Sequence, residues 1–481
     1  MLGELATAVT ARRVRAADLV DRALQRIERH NPGLNAVVAL RAEAALAEAD
    51  RLDAAIATGG AGPLPLAGLP FLVKDVEDLA GLRTTHGSLL FAGAPPAVAD
   101  SGTVARLRAA GAIPIGKTNT SEFAFEGVAE NRLFGRTVNP WNTAWSPGGS
   151  SGGSAAALAA GLAAIATGSD AGGSVRGPAA LCGLLGLKPT NGRIGRLGAP
   201  EWLDLVTDGI FGGSVADVAL LLAVLSGPQP GDPTAAPAGA GVLARAAGGG
   251  PLPGRLLVAP RIQPGPDLPA EVAALFADAV RRLESVLGLP VVPVAPESIF
   301  PGAHHPDDDS LILLGAETVA WLGRARIVAE RERFDRWFAP YIDAALAVDV
   351  DAYLAARRRR FGHARHLDDL LGDRDVLLTP TLNVEGLLAD GTVPGAEPGL
   401  VNALANTNPQ NVAGHPALSM PAGRFASGIP FGLQVTAPRY REDLLLAVAT
   451  RWEQVAPWPP AAPDYEMFGA GIASGDGHGG S

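Results

Sequence analysis

Cysteine is almost absent from this 481-residue chain: Cys182 is the only one, which excludes an internal disulfide and any zinc site built on thiolates. Lysine is nearly as scarce. Only Lys74, Lys117 and Lys188 occur, although arginine is common, and each of the three lies beside an apolar or glycine-rich stretch. Aromatic residues make up 5% of the chain and charged residues 18%. No run of eighteen apolar residues exists, so no spanning helix is expected. Residues 1–20 contain Glu4, Arg12, Arg13, Arg15 and Asp18 and lack a continuous apolar core, so they do not read as a secretory leader or an anchor. Excess positive charge is missing too. The formal net charge of −10 offers no general attraction to nucleic acid or anionic membrane. What remains is a composition that folds: hydrophobic residues reach 47%, and a soluble cytoplasmic protein is expected.

Apolar periodicity predicts a helix from Ala16 that ends near Asn31-Pro32, and a second from Ala42 to Ala57. The run Leu69 to Val73 reads as a buried strand that delivers Lys74 and Asp75 at its end. Ser101 is placed to cap a helix from Gly102 to Ala110, followed by a strand from Ile113. A helix from about Ser154 to Ala164 and a strand from Ile165 continue the alternation of an α/β chain. The stretch 227–254, dense in Gly, Pro and Ala, reads as a surface linker, and a mostly helical insertion is expected over about 310–371. Asp375 to Thr381 reads as another buried strand, Asp443 to Gln454 as a closing helix, and 469–481 as a disordered tail.

Two glycine-rich turns carry the chemistry. Ser146-Pro147-Gly148-Gly149-Ser150-Ser151-Gly152-Gly153-Ser154 is followed by Ser169-Asp170-Ala171-Gly172-Gly173-Ser174-Val175-Arg176. Glycines before a serine let backbone approach a ligand without Cβ clashes, and a helix between the turns would return the second to the first. With Val73-Lys74-Asp75 upstream, these motifs resemble the amidase signature family. Gly116 to Asn119, Gly183 to Thr190, Thr379-Pro380-Thr381 and Asn411 to Ala417 fit the same pattern, so the resemblance spans about 15–455.

The resemblance implies an α/β fold with a large mixed, mostly parallel central sheet covered by helices on both faces. It implies one domain over 1–468, with its core at about 60–226 and 375–455 and a variable region at about 227–374. Carried over residue by residue, it makes Ser174 the nucleophile, Ser150 a bridging serine with a cis peptide, and Lys74 the base. Lysine has an ordinary pKa of about 10.4, so this role needs burial, which Leu69 to Val73 would supply. Backbone N–H groups of Ala171, Gly172, Gly173 and Ser174 are the expected oxyanion donors, and Ser151, Asp170 and Arg176 the residues that brace the turn. The expected activity is hydrolysis of an amide, anilide, hydrazide or carbamate through an acyl-enzyme, with no cofactor and no metal. Expected partners are a small amide-type substrate and no nucleic acid or membrane, in a monomer or homodimer.

Other readings compete at single motifs. Gly148 to Gly152 also fits a Gly-x-Ser-x-Gly elbow, but Pro140 to Pro147 is not the strand such an elbow follows. His304-His305 with Asp307 to Asp309 suggests a metal site or, more simply, a polar turn that opens a helix; Arg357 to Arg360 suggests an RNA patch or a charged helical face. The alternative function is the A-type subunit of a glutamyl-tRNA amidotransferase, against which Gly177 and a dissimilar C-terminal region weigh; a dead binding protein is disfavoured because no triad position is lost. Phe334, Trp337, Phe338 and Tyr341 recur at helical spacing and are the candidate lining of an apolar substrate pocket.

Overall fold

A computed structural model of the chain describes residues 1–60, 62–198, 201–237, 250–302, 304–395, 403–459 and 461–471. Its centre is an 11-stranded sheet. In chain order the strands are β1 (Val37–Leu40), β2 (Pro70–Lys74), β3 (Ile113–Thr118), β6 (Ile165–Asp170), β7 (Leu185–Lys188), β8 (Thr207–Gly212), β9 (Leu256–Val258), β10 (Val291–Pro293), β11 (Val376–Pro380), β12 (Ala417–Arg424) and β13 (Pro430–Thr436). Between β3 and β6, β4 (Glu130–Asn131) and β5 (Gly135–Arg136) form a separate ribbon. The order across the sheet is β1-β3-β2-β6-β8-β7-β12-β13-β11-β9-β10. The sheet is mixed as expected. Parallel pairing holds in the blocks β3-β2-β6 and β11-β9-β10, and the strands between them pair antiparallel because β12 and β13 form a hairpin and β8 returns between β6 and β7.

Burial on both faces explains the apolar runs: every residue of β2, β6 and β11 is buried, as parallel strands covered by helices require. Around β12 and β13 the two faces separate cleanly by period-2 alternation. Leu418, Met420, Leu433 and Val435 join Phe276, Leu445 and Trp452 in the main core, under the helices Ala270–Leu287 and Glu442–Val455. Ser419 and Gln434 point the other way, toward Thr381 (2.8 Å from Ser419) and toward Arg176 at the start of the helix Arg176–Cys182.

Several boundaries differ from the sequence expectation. The first long helix continues through Pro32 to Leu34, because Pro32 removes only one N–H donor and Asn35, at φ 52°, closes the end with its N–H on Asn31 O at 2.7 Å. The helix expected from Ser154 spans Gly152–Ala159 and stops before Gly161, whose φ is +62°. The helix after His305 starts at Pro306, not Ser310, and the Asp308 carboxylate accepts the His305 N–H at 3.2 Å, so that segment opens a helix. Arg357, Arg359 and Arg360 lie on the helix Val350–Leu371 and are ion-paired with Asp204 and Asp309. In the expected linker the flanks are tied down, with Gly227 N–H on Arg193 O and Ala236 N–H on Gly192 O; residues 238–249 lie outside the described residues, as do 472–481 of the expected tail. Among the described residues no helix is long and apolar enough to cross a membrane.

Candidate active site

Strands β2 and β6 are parallel neighbours, with Phe71 opposite Ile165 and Leu72 opposite Ala166, so their C-terminal ends meet at one edge of the sheet. Lys74 is the last residue of β2 and Asp170 the last of β6. The helix Gly152–Ala159 runs back from that edge into β6, which leaves the Ser150 turn at the same edge. Ligands in open α/β sheets bind there, outside the carboxyl ends of strands. The chain thus brings together residues separated by 76 and 24 positions (150 − 74 and 174 − 150).

Lys74 is fully buried, and its Nζ donates to Ser150 Oγ at 2.7 Å and to Ser169 Oγ at 3.0 Å. Ser169 was not singled out from the sequence; it lies on β6 beside the end of β2 and shows itself only once the strand order is known. Burial pushes the Lys74 pKa down from 10.5 to about 7, against the upward pull of Glu77, Asp170, Asp208 and Glu201. A primary amine held there is unprotonated for a large part of the time at neutral pH. Its strand end is fixed by Asp75, which pairs with Lys117 at 2.8 Å and accepts the Thr85 hydroxyl. Ser150 follows a cis Gly149–Ser150 peptide. No side chain fits at Gly149, where a Cβ would stand 2.4 Å from Val128 N and 2.7 Å from Glu126 O.

The second turn is clamped to the first. Ser151 N–H donates to Ser174 O at 3.2 Å, and the Ser151 hydroxyl donates to Ser169 O at 3.3 Å. Ser174 is 7% exposed. Asp170 braces its own turn by accepting the N–H groups of Gly173 (2.8 Å) and Val175 (3.1 Å), on either side of Ser174. The first of these bonds takes Gly173 out of the expected oxyanion set, since its N–H already points at a carboxylate. Ala171, Gly172 and Ser174 remain in that set. Arg176 and Asp170 are both fully buried, with Nη2 and Oδ1 2.8 Å apart. Burial alone would raise the Asp170 pKa; the Arg176 guanidinium outweighs it and holds it down at about 2. Arg176 also donates to Gln410, Asn411 and Gln434.

Thr407 is a further contact that sequence reasoning missed. Its hydroxyl donates to Gly172 O at 2.6 Å, and a Cβ on Gly173 (φ +127°) would meet Thr407 Oγ1 at 2.1 Å. Only glycine tolerates both that backbone conformation and that approach. The polar run from Asn406 to Asn411 was the only sequence signal for it.

The expected aromatic pocket is corrected in part. Phe334 to Tyr341 do not form one helix: Asp335 accepts the Trp337 N–H at 2.9 Å in a local turn, and only Ala339–Tyr341 forms a 3-10 turn, around Pro340. Phe334 and Phe338 are buried in a core cluster with Leu90, Phe123, Leu322 and Ile342, at ring distances of 6.0 Å and 5.3 Å from Phe123. Trp337 packs on Gly391, under the Arg336 guanidinium at 4.5 Å. Tyr341, 37% exposed, is 5.0 Å from the Phe125 ring. The apolar wall against the Ser174 turn has other members: Ala171 clusters with Ala124, Trp202 and Val206, and Val76, Phe125 and Leu314 pack on them. Trp202 is anchored by its indole N–H on Thr318 Oγ1 at 2.8 Å. Neither Trp202 nor Phe125 lies in the insertion.

Comparison with known proteins gives a consistent picture. Residues 18–446 match the family model Amidase. The A-type subunit of the glutamyl-tRNA(Gln) amidotransferase of Synechococcus sp. (strain CC9605) is 39% identical over 92% of this chain and 94% of its own. A bacterial aryl acylamidase of known structure superposes with a TM-score of 0.85 at 27% identity, over 94% of this chain and 95% of that one. The 6-aminohexanoate cyclic dimer hydrolase, solved with its substrate, gives 0.82 at 31% identity over 95% and 97%.

Proposed function

The chain belongs to the amidase signature family and is a hydrolase of carbon–nitrogen bonds; on that premise we propose that Ser174 is its acylated nucleophile, Ser150 the proton relay and Lys74 the base. The observation that carries the reading is the buried 2.7 Å contact between Lys74 Nζ and Ser150 Oγ, made by a lysine whose pKa is depressed to about 7. A neutral Lys74 accepts the Ser150 proton while Ser150 accepts that of Ser174, whose oxygen attacks the substrate carbonyl. Turn N–H groups from Ala171, Gly172 and Ser174 receive the developing oxyanion. The proton returns through Ser150 to the leaving nitrogen, and water then releases the acid by the same relay in reverse.

The apolar wall of Phe125, Trp202 and Val206 beside Ala171 supports an aryl or other bulky apolar substrate group over a small one such as acetamide. Purified chain assayed with 4-nitroacetanilide tests the reading: hydrolysis should proceed unaided and vanish in Ser174→Ala. A Ser174→Ala protein that keeps more than about a tenth of the activity defeats it, since loss of a true nucleophile costs several orders of magnitude. A second reading, the A-type subunit of an amidotransferase, is favoured by the 39% identity to such a protein. That likeness extends over 92% of this chain, which takes weight from the expected dissimilarity of the C-terminal region. Inactivity of the isolated chain on every anilide tried, with glutamine hydrolysis appearing only beside partner subunits, would select it.

A further inference from the structure

Val206 also lines a cavity of about 530 Å³ whose lining includes none of Lys74, Ser150 and Ser174. Its volume is that of a small-molecule pocket, for which roughly 300–1,000 Å³ is usual. Arginine dominates its charged lining: Arg196, Arg357, Arg360 and Arg439, beside Asp204 and Asp232 among the described residues, and of these Arg439 is held by Asp368 at 2.6 Å. Asp204 is shared between Arg357 (3.3 Å from Nη2) and Arg360 (2.8 Å from Nη1), with Glu317 a more distant second partner of Arg357 at 3.8 Å. The Arg196 guanidinium is less well partnered still: the carboxylate oxygen paired with it, Asp208 Oδ1, is 3.5 Å away, and its Nη1 is buried with no hydrogen-bond acceptor among the described residues. An unpaired buried guanidinium nitrogen asks for an anionic acceptor.

Two further features belong to a binding site rather than a packing fault. Tyr440 lines the cavity with φ at +64°, a backbone conformation uncommon for a bulky residue and concentrated at ligand sites. Phe361, 81% exposed, and Leu203, 47% exposed, also line it and leave apolar surface uncovered. We propose that this cavity is a second binding site, separate from the Lys74–Ser174 centre, for an anionic small molecule with an apolar body, its carboxylate or sulfonate meeting Arg196 and the Arg357–Arg360 pair and its body lying on Phe361 and Leu203.

Fluorescence titration of the full chain with 8-anilinonaphthalene-1-sulfonate, beside its uncharged analogue N-phenyl-1-naphthylamine, tests this. The anionic probe should bind at a single saturable site at least about tenfold more tightly than the neutral one, as a charge-assisted contact provides. Phe361→Glu, a change at an exposed position, and Arg196→Met should each weaken the anionic probe at least about fivefold, while Ser174→Ala should leave it unchanged. Equal affinity for the two probes, or unaltered affinity in Phe361→Glu, overturns the proposal; so does loss of binding in Ser174→Ala, which would place the probe in the catalytic centre. Should Arg196→Met fail to fold by its melting curve, Phe361→Glu decides alone.

Discussion

Arg176→Met removes the cation from a fully buried pair and leaves the Asp170 carboxylate in place. The remaining donors to that carboxylate are the backbone N–H groups of Gly173, Val175 and Arg176, at 2.8, 3.1 and 3.4 Å, and they compensate only part of the lost charge. Breaking one side of such a pair costs about 3–5 kcal/mol. The depressed pKa gives an independent lower figure: a drop from 3.8 to about 2 corresponds to roughly 2.4 kcal/mol of preference for the charged form. Because the folded pKa lies below the unfolded one, this stabilisation is fully present above about pH 4 and is lost as pH falls through about 2. Urea unfolding at pH 7 should therefore show Arg176→Met destabilised by about 3–5 kcal/mol at unchanged m, with the acid-side slope of wild type between pH 4 and 2 flattened. Adding Asp170→Asn should recover part of the loss, since the double variant buries no unpaired charge. A single variant destabilised by less than about 1 kcal/mol would mean that solvent or the amides already neutralise Asp170, and the bracing role would fall.

The base assignment predicts that kcat/KM for an anilide rises with pH through an inflection near 7 and falls below it, as Lys74 takes up a proton; Lys74→Met should lose at least about a hundredfold in rate together with that inflection. Lys188, whose pKa burial likewise lowers to about 7, sits away from the serines on Pro189 O (2.9 Å) and Asn191 Oδ1 (2.8 Å). Lys188→Met should keep the inflection and lower stability by about 1–3 kcal/mol as those acceptors go unpaired, and loss of the inflection here would misassign the base. Phe338→Ala should destabilise by about 3–5 kcal/mol without altering the preference for anilide over acetamide, whereas Trp202→Ala should narrow that preference. An equal change of preference in both variants, read as the ratio of kcat/KM values, would remove Trp202 from the substrate wall.

Much of the site was legible because its residues announce themselves locally. A continuous apolar run can only be a buried strand or a buried helix, so Leu69 to Val73 already implied that Lys74 ends up desolvated, as its full burial in β2 bears out. Paired glycines before Ser150 and Ser174 likewise reflect local sterics: a Cβ at Gly149 or Gly173 has no room. Chain order and alternation were enough for the α/β class, because helix and strand periods are properties of ten or fifteen neighbouring residues.

Tertiary structure alone decided which distant groups meet. Arg176 finds Gln410, Asn411 and Gln434 more than 230 residues away, a set fixed by the register that puts Ser419 opposite Gln434 and by the helix laid across that face. Ser169 becomes a partner of Lys74 only because β2 lies beside β6. The aromatic residues of the insertion show the limit most clearly. Their spacing fitted a helix, but Pro340 and the Asp335 turn broke that period, and Phe334 and Phe338 went into a core that Phe123 had already begun. Apolar side chains carry no label that separates a core from a pocket. Burial energy is the same for either, and only the position of the facing element, here Phe123 against Phe334 and Phe338, determines where such a side chain ends.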